Sequence, residues 1–128
     1  MSTPARAGVF VYAKDLPRLA AFYAAMLGMR QVHATDDIAI LASPDLQLLV
    51  HRIPAHIAAG IHIETPPVRR EDCAIKFFAT VSSLEAAGAT AAALGGQLFD
   101  ERWEGPGFIV CNAMDPEGNV FQIREPTA

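Results

Sequence analysis

Three of the four histidines, two cysteines and a lone tryptophan are the residues of this 128-residue chain best suited to chemistry. His51, His56 and His62 lie close together with Glu64 just after them, a set that suits a metal or an acid–base centre. Their spacings of five and six residues fit neither one helix face nor one strand face, and Pro54 interrupts them, so a metal site here would be off any regular pattern. Singly they read as surface or hydrogen-bonded residues, and His51, which falls in a strand-like run, qualifies as a general base. His33 has no identifiable partner. Cys73 and Cys111 are too few and too far apart for a disulfide framework, and neither belongs to a Cys-x-x-Cys pair, so both are expected to be buried free thiols. Trp103 sits in the polar stretch Glu101 to Gly107, where an indole packs either into the core or on a cavity lip; Glu104 beside it is a second acid–base candidate. The sequence holds no glycine-rich phosphate loop, nucleophile elbow or Ser/His/Asp order, and Gly95-Gly96 reads as a helix stop.

The elements that must position these residues follow from local pattern. Gly8 to Ala13 is short, β-branched and aromatic, which predicts a strand; Asp15 can cap a helix with Pro17 in its first turn. Leu16, Leu19, Ala20, Phe22, Tyr23, Met26 and Leu27 recur at helical spacing, and Gly28 supplies the left-handed end. Strands are expected at Met29 to His33, Ile38 to Leu41 and Leu46 to Arg52. The second half repeats the order: strand Ala74 to Val81, helix Leu84 to Leu94 capped by Ser83, then strands Gln97 to Trp103, Gly107 to Ala113 and Asn119 to Glu125. Leu16 answers to Leu84, Leu27-Gly28 to Leu94-Gly95, and Ser43-Pro44-Asp45 to Asp115-Pro116-Glu117-Gly118. The chain is therefore expected to be one α+β domain over residues 1–128, with βαβββ modules at 7–53 and 74–126. The connector 54–73 holds a short helix (Pro54 to Ala59), a strand (Ile61 to Glu64) and a Pro/Arg loop. Its length suggests a functional role or a place over a cavity mouth.

Bulk properties narrow the classes. At 52% hydrophobic and 19% charged residues the chain is globular, and its length suffices to bury roughly two thirds of its unfolded surface in one core. A net charge of -4 with scattered arginines gives no basic field for nucleic acid. No apolar run approaches the roughly eighteen residues of a membrane span, and Met1-Ser2-Thr3-Pro4 leads straight into a strand-like segment, so a cytoplasmic protein is expected.

Tyr12-Ala13-Lys14-Asp15-Leu16, then Phe22-Tyr23 and Leu27-Gly28, with Asp115-Pro116-Glu117-Gly118-Asn119 leading into Phe121-Gln122-Ile123, resembles the glyoxalase/bleomycin-resistance/dioxygenase (vicinal oxygen chelate) superfamily over nearly the whole chain. The resemblance implies two modules whose strands curl around a central groove. In glyoxalases, extradiol dioxygenases and fosfomycin-resistance enzymes that groove holds a divalent metal; drug-sequestering bleomycin-resistance proteins use it without one. Fold alone does not choose between them.

The resemblance also implies ligands from the first and last strand of each module. The first-strand positions, seven residues before the helix caps Asp15 and Ser83, are Gly8 and Lys76. Glycine has no side chain, and an ammonium has no lone pair and repels a cation. In the last strands Phe121 and Ile123 suit a helix-packed face, which leaves Val120, Gln122 and Arg124 towards the groove; likewise Leu46, Leu48 and Val50 leave Gln47, Leu49 and His51. The site would read Gly8, Gln47, Lys76 and Gln122, without metal and with no other cofactor expected. Phe10 and Tyr12 share parity with Gly8, and Phe78 and Thr80 with Lys76, so the expected ligand-binding set is Phe10, Tyr12, Gln47, His51, Lys76, Phe78, Trp103, Gln122 and Arg124. Lys76 is either a solvated lysine whose stem lies on apolar neighbours or a fixed cation that attracts a carboxylate, phosphate or enolate oxygen.

These residues predict metal-independent binding of a small apolar or aromatic ligand with an anionic group. The alternatives are a lyase or isomerase acting near a carbonyl, with His51 or Glu104 moving a proton, and a dimeric accessory module with its groove filled by Phe10, Phe78 and Trp103. A homodimer is implied by the resemblance.

Overall fold

Gly8–Ala13 forms β1, after which Asp15 opens α1 (Leu16–Leu27) by accepting a hydrogen bond from the Arg18 N–H at 3.3 Å. Gly28 closes the helix in the left-handed region (φ 61°), its N–H returning to the Ala24 carbonyl. β2 (Arg30–Ala34), β3 (Ile38–Ala42) and β4 (Gln47–Arg52) complete a four-stranded sheet of order β1-β4-β3-β2, in which β1 runs parallel to β4 and the other pairs are antiparallel. The connector contributes α2 (Ala55–Ala58). The second module then runs β5 (Phe78–Thr80), α3 (Leu84–Ala93), β6 (Gln97–Leu98), β7 (Trp103–Gly105), β8 (Phe108–Met114) and β9 (Val120–Pro126). Ser83 caps α3, its hydroxyl accepting the Ala86 N–H at 3.1 Å. β5 is parallel to β9, β9 antiparallel to β8, and β6 and β7 both pair with β8, together filling the place of one strand. The βαβββ order thus recurs, and the computed structural model, which describes residues 5–127, is an α+β fold of two sheets.

Three stretches depart from expectation. The apolar run Ala74 to Val81 predicts a full first strand, yet only Phe78–Thr80 is strand and Ile75 is 88% exposed. Arg70 bridges to Asn119 just before β9, so the connector already occupies that end of the sheet edge. Gln97 to Trp103 breaks into β6 and β7 around Phe99, over whose ring the Arg69 guanidinium lies at 3.5 Å. Ile61 to Glu64 is not a strand; the Ile61 carbonyl accepts from the Lys14 ammonium instead of from a neighbouring strand.

Both sheets turn one face to a shared core. Leu48, Val50 and Leu41 from the first sheet, Phe121, Ile123 and Cys111 from the second, and Leu19, Phe22 and Tyr23 from α1 are all fully buried. Tyr23 packs against Phe121 and Phe77 with its ring tilted to both, and its hydroxyl donates to Asp115 Oδ2 at 2.6 Å, so a helix of the first module is bonded to the last turn of the second. Asp115 also accepts from the Glu117 N–H, the Asn119 N–H and the Asn119 side-chain amide. Glu117 in turn accepts the Lys14 and Asp15 N–H groups, both at 2.8 Å. Gly118 (φ 88°) permits the turn, and any Cβ there would collide with the Val68 carbonyl of the connector.

Two predictions follow from this packing. Leu16 and Leu84 are equivalent helix anchors and both are buried, so Leu16→Ala and Leu84→Ala should each cost about 2–5 kcal/mol in denaturant unfolding; a loss at only one position would mean that the modules do not share the core equally. Burial first, then the Asp115 carboxylate, holds the Tyr23 phenol well above the ordinary value of 10.0. The unfolded chain therefore releases this proton before the folded one does. The contribution to stability is complete below 10.0 and shrinks as the pH rises above it. Tyr23→Phe should lower stability by about 1–3 kcal/mol at neutral pH but flatten the alkaline loss, measured from denaturant midpoints at pH about 7 and about 11.

Candidate functional site

Strand alternation gives each sheet a second face, turned away from the helices. On the first sheet the cross-strand neighbours there are Gly8 and Gln47, Phe10 and Leu49, and Tyr12 and His51. Phe10 and Tyr12 are 53% and 58% exposed, with ring centroids 5.0 Å apart, and His51 lies 5.8 Å from each, stacked on Phe10 and edge-on to Tyr12. His51 Nδ1 is 2.8 Å from the Arg52 carbonyl oxygen. A carbonyl only accepts, so this bond places hydrogen on Nδ1, and in the neutral ring the lone pair is then on Nε2.

On the second sheet Phe78, Gln122 and Asn112 stand side by side across β5, β9 and β8; the next row is Thr80, Arg124, Val110 and Trp103. The Lys76 ammonium, just ahead of β5, donates to Asn112 Oδ1 at 3.3 Å and is otherwise exposed. The Arg124 guanidinium lies between two rings, 3.7 Å from the Phe78 centroid and 4.3 Å from that of Phe108. Trp103 is 42% exposed on this face. Aromatic groups and a few fixed polar ones therefore share each outer face, but the two faces belong to separate sheets with no strand pair between them.

The remaining candidates lie elsewhere, and one expectation, that both thiols are buried, needs correction. Glu104 pairs with Ile109, which packs on the core, so alternation turns Glu104 to the opposite face of β7 from Trp103 and apart from His51. His56 lies on α2 and His62 beyond it; among the described residues no three His, Cys, Asp or Glu side chains are grouped to hold a metal ion. Cys111 is buried, and burial pushes its thiol up against the opposing effect of Arg102, whereas Cys73 is exposed because the segment before β5 stays outside the sheet. The connector covers a cleft of about 570 Å³ between α1 and Pro116-Glu117, lined by Lys14, Arg18, Arg52 and Glu64, and only its far end, at Arg70 and Cys73, borders Lys76 and Asn112. Phe108 and Asn112 were not among the residues singled out from sequence; counting alternation back from Gln122 across the turn to β8 would have found Asn112.

The positions at which the resemblance implies metal ligands do not fit a metal. Gly8 lies directly beside Gln47, and a Cβ on it would sit 2.7 Å from the Gln47 carbonyl oxygen, so the backbone itself excludes a side chain. Lys76 offers an ammonium, and Gln47 and Gln122 offer only neutral amides.

A family model described as a glyoxalase-like domain matches residues 8–124. The chain belongs to that family. No curated protein matches it significantly. Among solved structures this glyoxalase-like domain is similar to a glyoxalase/bleomycin resistance protein/dioxygenase family enzyme from Burkholderia phytofirmans PsJN, with 16% identity, TM-score 0.69, and 94% of this chain and 98% of that one covered. It is also similar to a glyoxalase/bleomycin resistance protein from Albidiferax ferrireducens T118 (21%, TM-score 0.64, coverage 94% and 98%). A third similar structure is the fosfomycin resistance protein FosX of Listeria monocytogenes (13%, TM-score 0.67, coverage 98% and 96%). At these identities the likeness is one of fold.

The donor set yields a prediction for this glyoxalase-like domain. Elemental analysis of dialysed protein should find Zn, Fe, Mn and Ni well below one equivalent; a near-stoichiometric metal that disappears in Gln122→Ala would contradict the assignment of these positions.

Proposed function

We propose that this glyoxalase-like domain is a metal-independent binding protein of the bleomycin-resistance kind, which holds a small apolar or aromatic ligand with an anionic group on the outer sheet faces and acts in the cytoplasm. The observation that carries this reading is the set of large aromatic side chains, Phe10, Tyr12, Phe78 and Trp103, left uncovered beside fixed polar groups on those faces. An accessory module with a filled groove would bury these rings, which makes it the weaker reading.

A second copy of the chain completes the site in this proposal. β1 and β5 are both edge strands, and each borders an exposed aromatic face. Pairing them between chains would cover the unpaired backbone groups and bring the two half-sites together. Sedimentation should then give twice the 13.7 kDa chain mass at ligand-binding concentrations.

One observation favours catalysis as a second reading: the His51 tautomer leaves Nε2 free to take a proton. Catalysed exchange of the hydrogen α to a carbonyl in deuterated water, abolished by His51→Gln, would establish it. The binding reading predicts that a screen of small aromatic and aliphatic acids against their neutral amides favours the acids, by calorimetry, with no such exchange. A parent protein that retains neither acids nor amides would contradict it.

A further inference from the structure

Arg124 differs from every other cation on the outer faces in being fixed before any ligand arrives. Its guanidinium carbon lies 3.7 Å from the Phe78 centroid and 4.3 Å from that of Phe108, so rings from the strands on both sides of β9 hold it, and the edge of the fork is the part that suits a partner. Its Nε is sealed from solvent and has no hydrogen-bond acceptor, an uncommon state for a charged donor. No acidic side chain compensates it: among the described residues the one ion pair is Arg69 with Glu71, and the neighbouring Glu125 accepts the Leu84 N–H at 2.8 Å on the helix side. Lys76, the cation to which sequence position points, is exposed and spends a donor on Asn112.

We propose that Arg124 is the residue that receives the ligand's anionic group, and that the group is a carboxylate on an aromatic acid. This rests on the outer faces being the ligand surface. A guanidinium edge matches the two oxygens of a planar carboxylate in a bidentate pair. A single fixed cation balances a single negative charge, whereas a phosphate dianion would call for a second one. The rings of Phe78 and Phe108 that hold the guanidinium also form the apolar shelf beside it, on which an aryl group can lie. Little side-chain freedom is lost on binding, because the rings have already removed it.

The test uses the full chain with phenylacetate, phenylacetamide and phenyl phosphate, followed by calorimetry and by the Arg124 Nε–H resonance in ¹⁵N-labelled protein. Phenylacetate should bind at least about tenfold tighter than phenylacetamide and shift the Nε–H resonance. Arg124→Lys, which keeps the charge but not the fork, should lose at least about tenfold for phenylacetate, while Lys76→Met should stay within about threefold. If Arg124→Lys fails to fold, the Nε–H resonance and Lys76→Met still decide. Equal binding of acid and amide by the parent would leave the outer faces as the ligand surface and overturn the role of Arg124. So would a preference lost in Lys76→Met, or an Nε–H signal unmoved at saturation. Tighter binding of phenyl phosphate would overturn the carboxylate assignment. Absence of binding by all three compounds, with the resonance unchanged, would overturn both this role and the reading it rests on.

Discussion

A carboxylate buried at the last turn of the chain, Asp115, accepts from the Tyr23 hydroxyl, two backbone N–H groups and the Asn119 amide. Burial alone pushes its carboxyl up, and those four donors work in the other direction, so removing any of them leaves a charge in the core with less to solvate it. Because one donor is on α1 and the rest are on the turn before β9, the bond that solvates the charge also sets the first module's helix against the second module's sheet. Glu117 extends the clasp by accepting the Lys14 and Asp15 N–H groups at the start of α1.

The rest of the architecture depends on that clasp. With α1 held to the Asp115–Asn119 turn, its apolar stripe meets Phe121 of the second sheet and Phe77 just ahead of β5, as well as the inner residues of the first sheet. The core therefore lies on the helix side of both sheets, and period-two alternation leaves the other side of each to solvent. On those outer sides Phe10, Tyr12 and His51 meet one another, and Phe78 and Phe108 meet Arg124. The same constraint places β1 and β5 at open edges.

Much of this was legible in the sequence because it is local. Asp15, Gly28 and Ser83 act at helix ends through bonds within a few residues, and the alternation of Phe121 and Ile123 with Gln122 and Arg124 needs no tertiary information. What was not legible depends on distant neighbours. Ile75 reads as strand core, but the connector's bridge at Asn119 keeps it outside. Cys73 follows it out. Lys76 and Arg124 are both cations of the right parity; only the placement of Phe78 and Phe108 distinguishes them. The tie between Tyr23 and Asp115, 92 positions apart, gave no local sign at all.

Besides the outer sheet faces, the described residues form a cleft of about 570 Å³ beside α1, where Lys14, Arg18 and Arg52 supply positive charge to an anionic small molecule. A crystal structure of the protein soaked with phenylacetate separates the two directly. Density on the outer face of the second sheet, with the carboxylate at the Arg124 edge, is the expected result. Density confined to the cleft, with Phe78 and Phe108 undisturbed, would contradict the assignment of the outer faces as the binding surface.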